Sequence, residues 1–194
     1  MSLLLNKNNL LSLSSLHIEE LIALCKQKNQ KAEFEIYHRY SKAMYNIALR
    51  IVKDEHYAED VMQEGLLRAF TKINDYRQEV AFGAWLKRII INHSIDFYKK
   101  NSAFQLEELD RVLYKVEEEN TVTAEIDFQE LKVAQVLDVI KNLKDNYRMV
   151  LTLFFIEGYD QEEISEILNI SYANCRTTLS RAKESLRKAL QDAI

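Results

Sequence analysis

No proline interrupts the 194 residues of this chain, and glycine occurs only three times. Inside a helix proline costs about 3 kcal/mol and glycine about 1 kcal/mol relative to alanine, so such a sequence is free to run in long helices. The expected fold class is all-α. Its 194 residues allow one large or two small helical domains, each able to bury a core.

Charge decides between these. A net charge of -4 argues at first sight against a nucleic-acid partner. Yet residues 101–130 carry nine acids and two bases, which leaves the rest of the chain at +3. Two near-neutral to basic helical parts are therefore separated by an acidic connector. The expected organisation is a mobile leader at 1–14, a helical domain at 15–100, an acidic flexible linker at 101–127 and a second helical domain at 128–194. Cys25 and Cys175 form neither a metal knuckle nor a redox pair, which suits a reducing cytoplasm. The start, MSLLLNKNN, lacks the basic segment of a signal peptide, and no run approaches the roughly 20 apolar residues of a membrane span. No membrane insertion is expected.

Ser14 or Ser15 is placed to cap a first helix carrying Leu16, Leu21, Ile22 and Leu24. From Ala32 to about Val52, Phe34, Tyr37, Tyr40, Ala43, Met44, Ile47, Ala48 and Ile51 trace the apolar face of a long core helix. Within it Glu35 and His38 have the E-x-x-H spacing of a di-iron ligand pair. Such a centre needs a second copy and two more inward carboxylates, which the sequence lacks, so the pair reads as a surface Glu and a partly buried His. His17, His56 and His93 have no ligand-spaced partners. With no phosphate loop or nucleophile motif either, no metal, cofactor or catalytic residue is expected.

Asp54 can cap the next helix, which begins near Glu55 and is expected to turn Val61, Leu66, Leu67, Ala69 and Phe70 inward. Glu59, Asp60, Gln63 and Glu64 form its outer edge, a pattern that is usually only a solvated face. After a polar loop, a helix from near Ala81 places Leu86, Ile90, His93 and Phe97 on one buried face. A second stripe, roughly 120° away, reads Trp85, Arg88, Asn92 and Asp96. Asn92 can both donate to and accept from a base edge, Tyr76 offers a face for stacking, and Arg88, Lys99 and Lys100 suit phosphates. Trp85 fits a core anchor and a wedge equally well.

The segments AEDVMQE, LLRAF and AFGAWLKRIIINHSIDFYKK resemble the promoter-opening domain of bacterial RNA polymerase sigma factors, in particular the extracytoplasmic-function group. Ala58, Glu59, Asp60, Gln63, Glu64, Phe82, Trp85, Leu86, Ile89, Asn92 and Asp96 fall in register with the family pattern. The resemblance implies that Asp60, Gln63 and Glu64 grip the clamp helices of the polymerase β′ subunit. It also implies that loop 74–80 and the following helix bind the non-template strand of the -10 element, with one base flipped out of the stack. Lys72, Asn74, Tyr76, Arg88, Asn92, Lys99 and Lys100 are then the candidate -10 contacts. By the same resemblance the acidic connector threads through the polymerase towards its active-site channel and RNA exit path.

In the second domain, Leu131, Val133, Val136, Leu137, Val139, Ile140 and Leu143, then Val150, Leu151, Leu153, Phe154, Phe155 and Ile156, supply a small core. Gly158 ends a helix, and YDQEEISEILNIS with YANCRTTLSRAKESLRKAL reads as helix, tight turn, helix, capped by Asp160 and Ser171. Cys175, Leu179, Ala182, Leu186 and Leu190 share one stripe, with Cys175 as a buried small hydrophobe. The opposite side presents Ala173, Thr177, Ser180 and Arg181, edged by Arg176 and Lys183, a surface suited to a major groove. From about Arg148 to Leu190 the chain resembles the sigma domain that reads the -35 element. This implies Ser171, Ala173, Asn174, Arg176, Thr177, Ser180, Arg181 and Lys183 as candidate contacts. Lys144, Asp160, Asn174 and Thr178 depart from the pattern, the last standing where arginine is common.

The expected function is a sigma factor that binds core RNA polymerase through its β′ clamp helices and β flap, recognises -10 and -35 elements and promotes melting. The family also admits an anti-sigma factor as partner. Two other readings stay open: a stand-alone helix-turn-helix regulator with an N-terminal sensing or dimerisation bundle, and a metal-binding helical enzyme.

Overall fold

The structure is a computed structural model that describes residues 13–101 and 133–192. Most of the expected leader, the acidic connector and the start of the second domain near Phe128 lie outside the described residues. Every regular element among the described residues is helical, as the absence of proline predicts. The chain divides into two units, Met1–Asn101 and Ser102–Ile194.

The first unit contains α1 (Ile18–Lys26), α2 (Gln30–Val52), α3 (Glu55–Thr71), a 3-10 turn (Ile73–Asp75) and α4 (Phe82–Asn101). Helices α2, α3 and α4 pack on one another, and α1 lies against α2. Asn29 Oδ1 caps α2 by accepting from the N–H groups of Lys31 and Ala32, and Asp54 Oδ1 caps α3 by accepting from Tyr57 N–H at 3.0 Å. Each such cap contributes about 1 kcal/mol.

Neither Ser14 nor Ser15 caps α1. That helix starts after His17, whose N–H donates to Glu20 Oε2 at 2.9 Å. The chain ahead of it is held by Arg39, whose guanidinium donates to the carbonyls of Leu13, Ser14 and Leu16 and pairs with Glu35 at 2.7 Å. Glu35 is thus engaged by arginine, and His38 is exposed rather than partly buried.

Helix α4 is buried more broadly than a single face. Besides Phe82, Leu86 and Ile90, the structure buries Ile91 and Ile95, roughly 140–180° round the helix from Leu86. The cause is its position, packed against α2 and α3 at once. Three residues expected in the core of this unit are outside it: Phe34 is 61% and Leu67 65% exposed, and Ala43 also faces solvent. Leu67 lies across α3 from the buried row of Ala58, Met62, Gly65 and Ala69. Gly65 lies in the α3–α4 contact, where an added Cβ would stand 2.4 Å from Ile90 Cδ1.

The second unit contains α5 (Val133–Asn142), α6 (Asp145–Leu151) continuing into a π-helical turn (Thr152–Ile156), α7 (Gln161–Leu168) and α8 (Tyr172–Gln191). Ile140, Val150, Leu151, Leu153, Ile164, Leu168, Cys175, Leu179 and Leu186 form its core. Burial raises the Cys175 thiol pKa, as befits a small hydrophobe. Val133, Leu137 and Phe155, expected inside, are 73%, 41% and 45% exposed. Gly158 follows the π-helical turn at φ 79°, a left-handed conformation that glycine adopts without steric cost.

Gly65→Val would force a branched side chain into the α3–α4 contact. We expect the unfolding free energy to fall by about 1–3 kcal/mol, the usual cost of overpacking a core, measured by urea denaturation.

Candidate functional site

Two surfaces of the first unit meet at α3 and α4. On α3, Asp60, Gln63 and Glu64 are all exposed. Gln63 Nε2 donates to Glu59 Oε1 at 3.2 Å, and Glu64 Oε2 lies 3.0 Å from His93 Nε2 on α4. At roughly 100° per residue, Leu67 falls within the same arc as these three. This solvent-facing leucine belongs to the edge. Its residue type points to the core, but its position on the helix points away from it.

On α4, Asn92, Asp96 and Lys100 are exposed, while Trp85, Arg88 and Lys99 are half-buried. Partial burial lowers the Lys99 pKa, with the charge of Asp96 opposing the shift. His93 points the other way and is buried. Desolvation, then the positive charge of Arg68, lowers its pKa, while Glu64 and Asp96 oppose. The imidazole is therefore neutral near pH 7.

The segment between α3 and α4 is held from within. Tyr76 is only 6% exposed, so its ring is not the open stacking face expected of it. It packs 5.5 Å from Phe82 and 5.2 Å from Trp85, and its hydroxyl donates to the Val80 carbonyl at 2.7 Å. Phe82 in turn meets Tyr40 on α2 edge-on. Trp85, for which the sequence allows two roles, is an anchor: its ring closes this cluster 5.6 Å from Phe82. From α1, Lys26 Nζ donates to the Tyr76 carbonyl at 3.2 Å. No sequence signal marks that contact, since the partners are fifty residues apart. Lys72, Asn74 and residues 77–80 remain exposed around the anchored tyrosine, with Gln78 left-handed at φ 63°.

In the second unit, Asp160 and Glu163 form a reciprocal capping box on α7, and Ser171 Oγ accepts from Asn174 N–H at the start of α8. Asn169 makes the turn between them at φ 57°. The paired helices present Ser171, Ala173, Arg176 and Ser180 to solvent, with Thr177 and Arg181 half-buried beside them. Asn174 does not belong to this surface. It is 1% exposed, and its Oδ1 accepts from the Thr178 hydroxyl at 3.1 Å, so these two of the four departures from the family pattern face the core. Lys183 is half-buried, and its ammonium rests over the Phe154 ring at 4.2 Å, a cation–π contact that competes with any phosphate.

A capped helix-turn-helix in one unit and an aromatic-anchored loop beside a polar helix strip in the other define a bipartite helical protein of nucleic-acid recognition. Residues 36–104 match the family described as Sigma-70 region 2, and residues 134–186 match Sigma-70, region 4. The ECF RNA polymerase sigma factor SigM of Bacillus subtilis is 32% identical over 154 residues, covering 79% of this chain and 91% of that protein. SigW of the same organism is 30% identical over 182 residues, covering 90% and 97%. Among solved structures, CnrH in complex with the cytosolic domain of CnrY aligns with TM-score 0.52 and 25% identity over 89% of this chain and 96% of that one. The Bartonella quintana RpoE chain, solved with the anti-sigma factor NepR, shares the fold at TM-score 0.53 and 19% identity, covering 81% and 95%.

The chain belongs to the sigma-70 family of RNA polymerase sigma factors and, within it, to the extracytoplasmic-function group. Its role is transcription initiation, and the stand-alone regulator is not favoured. No helix among the described residues is long and apolar enough to cross a membrane.

Lys26→Met should loosen the loop without unfolding the unit. Loss of one hydrogen bond worth about 1 kcal/mol predicts roughly fivefold faster amide exchange across residues 76–80, read by hydrogen-exchange mass spectrometry, with α2–α4 unchanged.

Proposed function

We propose that residues 15–100 dock on core RNA polymerase and open the -10 element, that 128–194 read the -35 element, and that 101–127 tether the two. The α3 edge of Asp60, Gln63, Glu64 and Leu67 grips the polymerase clamp helices, the leucine adding an apolar centre to a polar rim. The non-template strand runs along Lys72, Asn74, the exposed rim of residues 77–80, Arg88, Asn92, Lys99 and Lys100. Tyr76 and Trp85 act behind this surface, keeping the loop shaped before DNA arrives. Preorganisation of this kind reduces the ordering cost of binding. The observation that carries the reading is the anchored loop with exposed Asn92 on the helix that follows it.

At the -35 element, α8 enters the major groove with Ala173, Arg176, Thr177, Ser180 and Arg181 towards the bases, and Ser171 at its entry. Lys183 serves at the margin. The protein acts in the cytoplasm with its polymerase and performs no covalent chemistry itself. A masking partner, an anti-sigma factor, completes the reading, and the CnrH chain solved with a protein partner supports it.

Asn92→Ala should reduce open-complex formation by about 1–3 kcal/mol, the cost of leaving a base edge unpaired, with core-polymerase affinity unchanged; permanganate footprinting and a core-binding titration check both halves. Arg181→Ala should cost about 1–3 kcal/mol in initiation at promoters that depend on a -35 element and little elsewhere. In vitro transcription on paired templates with and without that element measures this, and an equal loss on both would make Arg181 a phosphate contact.

A further inference from the structure

His93 lies outside every contact assigned above, yet it is a buried polar side chain joining the two functional helices of the first unit. Its Nε2 lies 3.0 Å from Glu64 Oε2, with the imidazole 7% and the carboxylate-bearing side chain 62% exposed. Nδ1 is buried with no hydrogen-bond partner among the described residues. A carboxylate only accepts, so the proton sits on Nε2 and Nδ1 is a bare lone pair. Protonating Nδ1 would bury an unsatisfied donor, which agrees with the downward shift of the imidazole pKa. The ring is thus neutral, in one tautomer, with a single N–H aimed out of the core at Glu64. An aliphatic side chain would fill the same space with no polar atom to satisfy.

An exposed glutamate ordinarily samples many rotamers, and a partner that needs one of them must order it. Here one carboxylate oxygen is already held from below, and the rest of the group faces solvent beside Asp60 and Gln63. We propose that His93 is a positioning residue for polymerase docking, its Nε2–H holding the Glu64 carboxylate in the orientation that receives a basic group of the polymerase. This rests on the reading of the α3 edge as the polymerase-binding surface.

The test is a double-mutant cycle, with dissociation constants for core RNA polymerase measured by fluorescence titration of the full chain. His93→Leu should weaken binding about three- to tenfold, the cost of ordering one side chain. His93→Gln, whose amide can donate from nearly the Nε2 position, should restore affinity to within about twofold, whereas His93→Asn, too short to reach Glu64, should not. In a Glu64→Ala background His93→Leu should have no further effect. The same loss in both backgrounds, or no rescue by glutamine, would overturn the proposal and leave His93 a packing residue. If Glu64→Ala alone leaves core affinity unchanged, the reading of the α3 edge fails first and the proposal with it. Circular dichroism melts accompany each variant, and if His93→Leu does not fold, the glutamine and asparagine pair decides the outcome.

Discussion

Helix α3 packs against α4 with Gly65 facing Ile90, and the α3 edge and the polar strip of α4 are carried on these two packed helices. With an added Cβ 2.4 Å from Ile90 Cδ1, no larger residue fits at Gly65 without a shift in its neighbour. The residue before it, Glu64, can then meet His93, one helical turn beyond Ile90. Close backbone approach thus brings two amphipathic helices into one body, in which the exposed Glu64 carboxylate is held by His93, the neighbour in sequence of the exposed Asn92.

The loop between these helices follows the same logic with aromatic rings. Tyr76 gives up solvent contact to lock its own loop, and Phe82 and Trp85 give the lock its walls. A ring buried this way cannot also be the platform for an incoming base. What it provides is a fixed rim of exposed backbone and side chains at 77–80, with Lys26 reinforcing it from α1. In the second unit the equivalent work is done by caps: the Asp160–Glu163 box starts α7, the left-handed Asn169 ends it, Ser171 starts α8, and the Asn174–Thr178 bond ties the first turns of α8 inward.

Helices, caps and the order of the elements are legible in the amino-acid order alone, because they depend on near neighbours in the chain. Asp54, Asp160 and Ser171 cap where their positions ahead of apolar periods say they should. The misplacements share a cause. Hydrophobicity puts Leu67 and Phe34 in the core, chemical aptitude makes Tyr76 a stacking face, and family resemblance puts Asn174 on a DNA-facing surface. Each is reversed by which neighbour occupies its side of the helix or loop. His93 reads as one more member of a core stripe, since nothing in a one-dimensional pattern distinguishes a packed imidazole from one that hydrogen-bonds out of the core.

Helical period, capping and motif register suffice to read an all-α chain, the helix-turn-helix, the polar stripe of α4 and membership of a family from the residue order. Packing in three dimensions settles that Tyr76 is enclosed by Phe82 and Trp85, that Leu67 stands exposed on the same side of α3 as Asp60, Gln63 and Glu64, and that Glu64 is held by His93. The physical reason is that a side chain's role depends on what packs against it. For these residues the deciding partners stand up to fifty positions away in the chain, as Lys26 does from Tyr76.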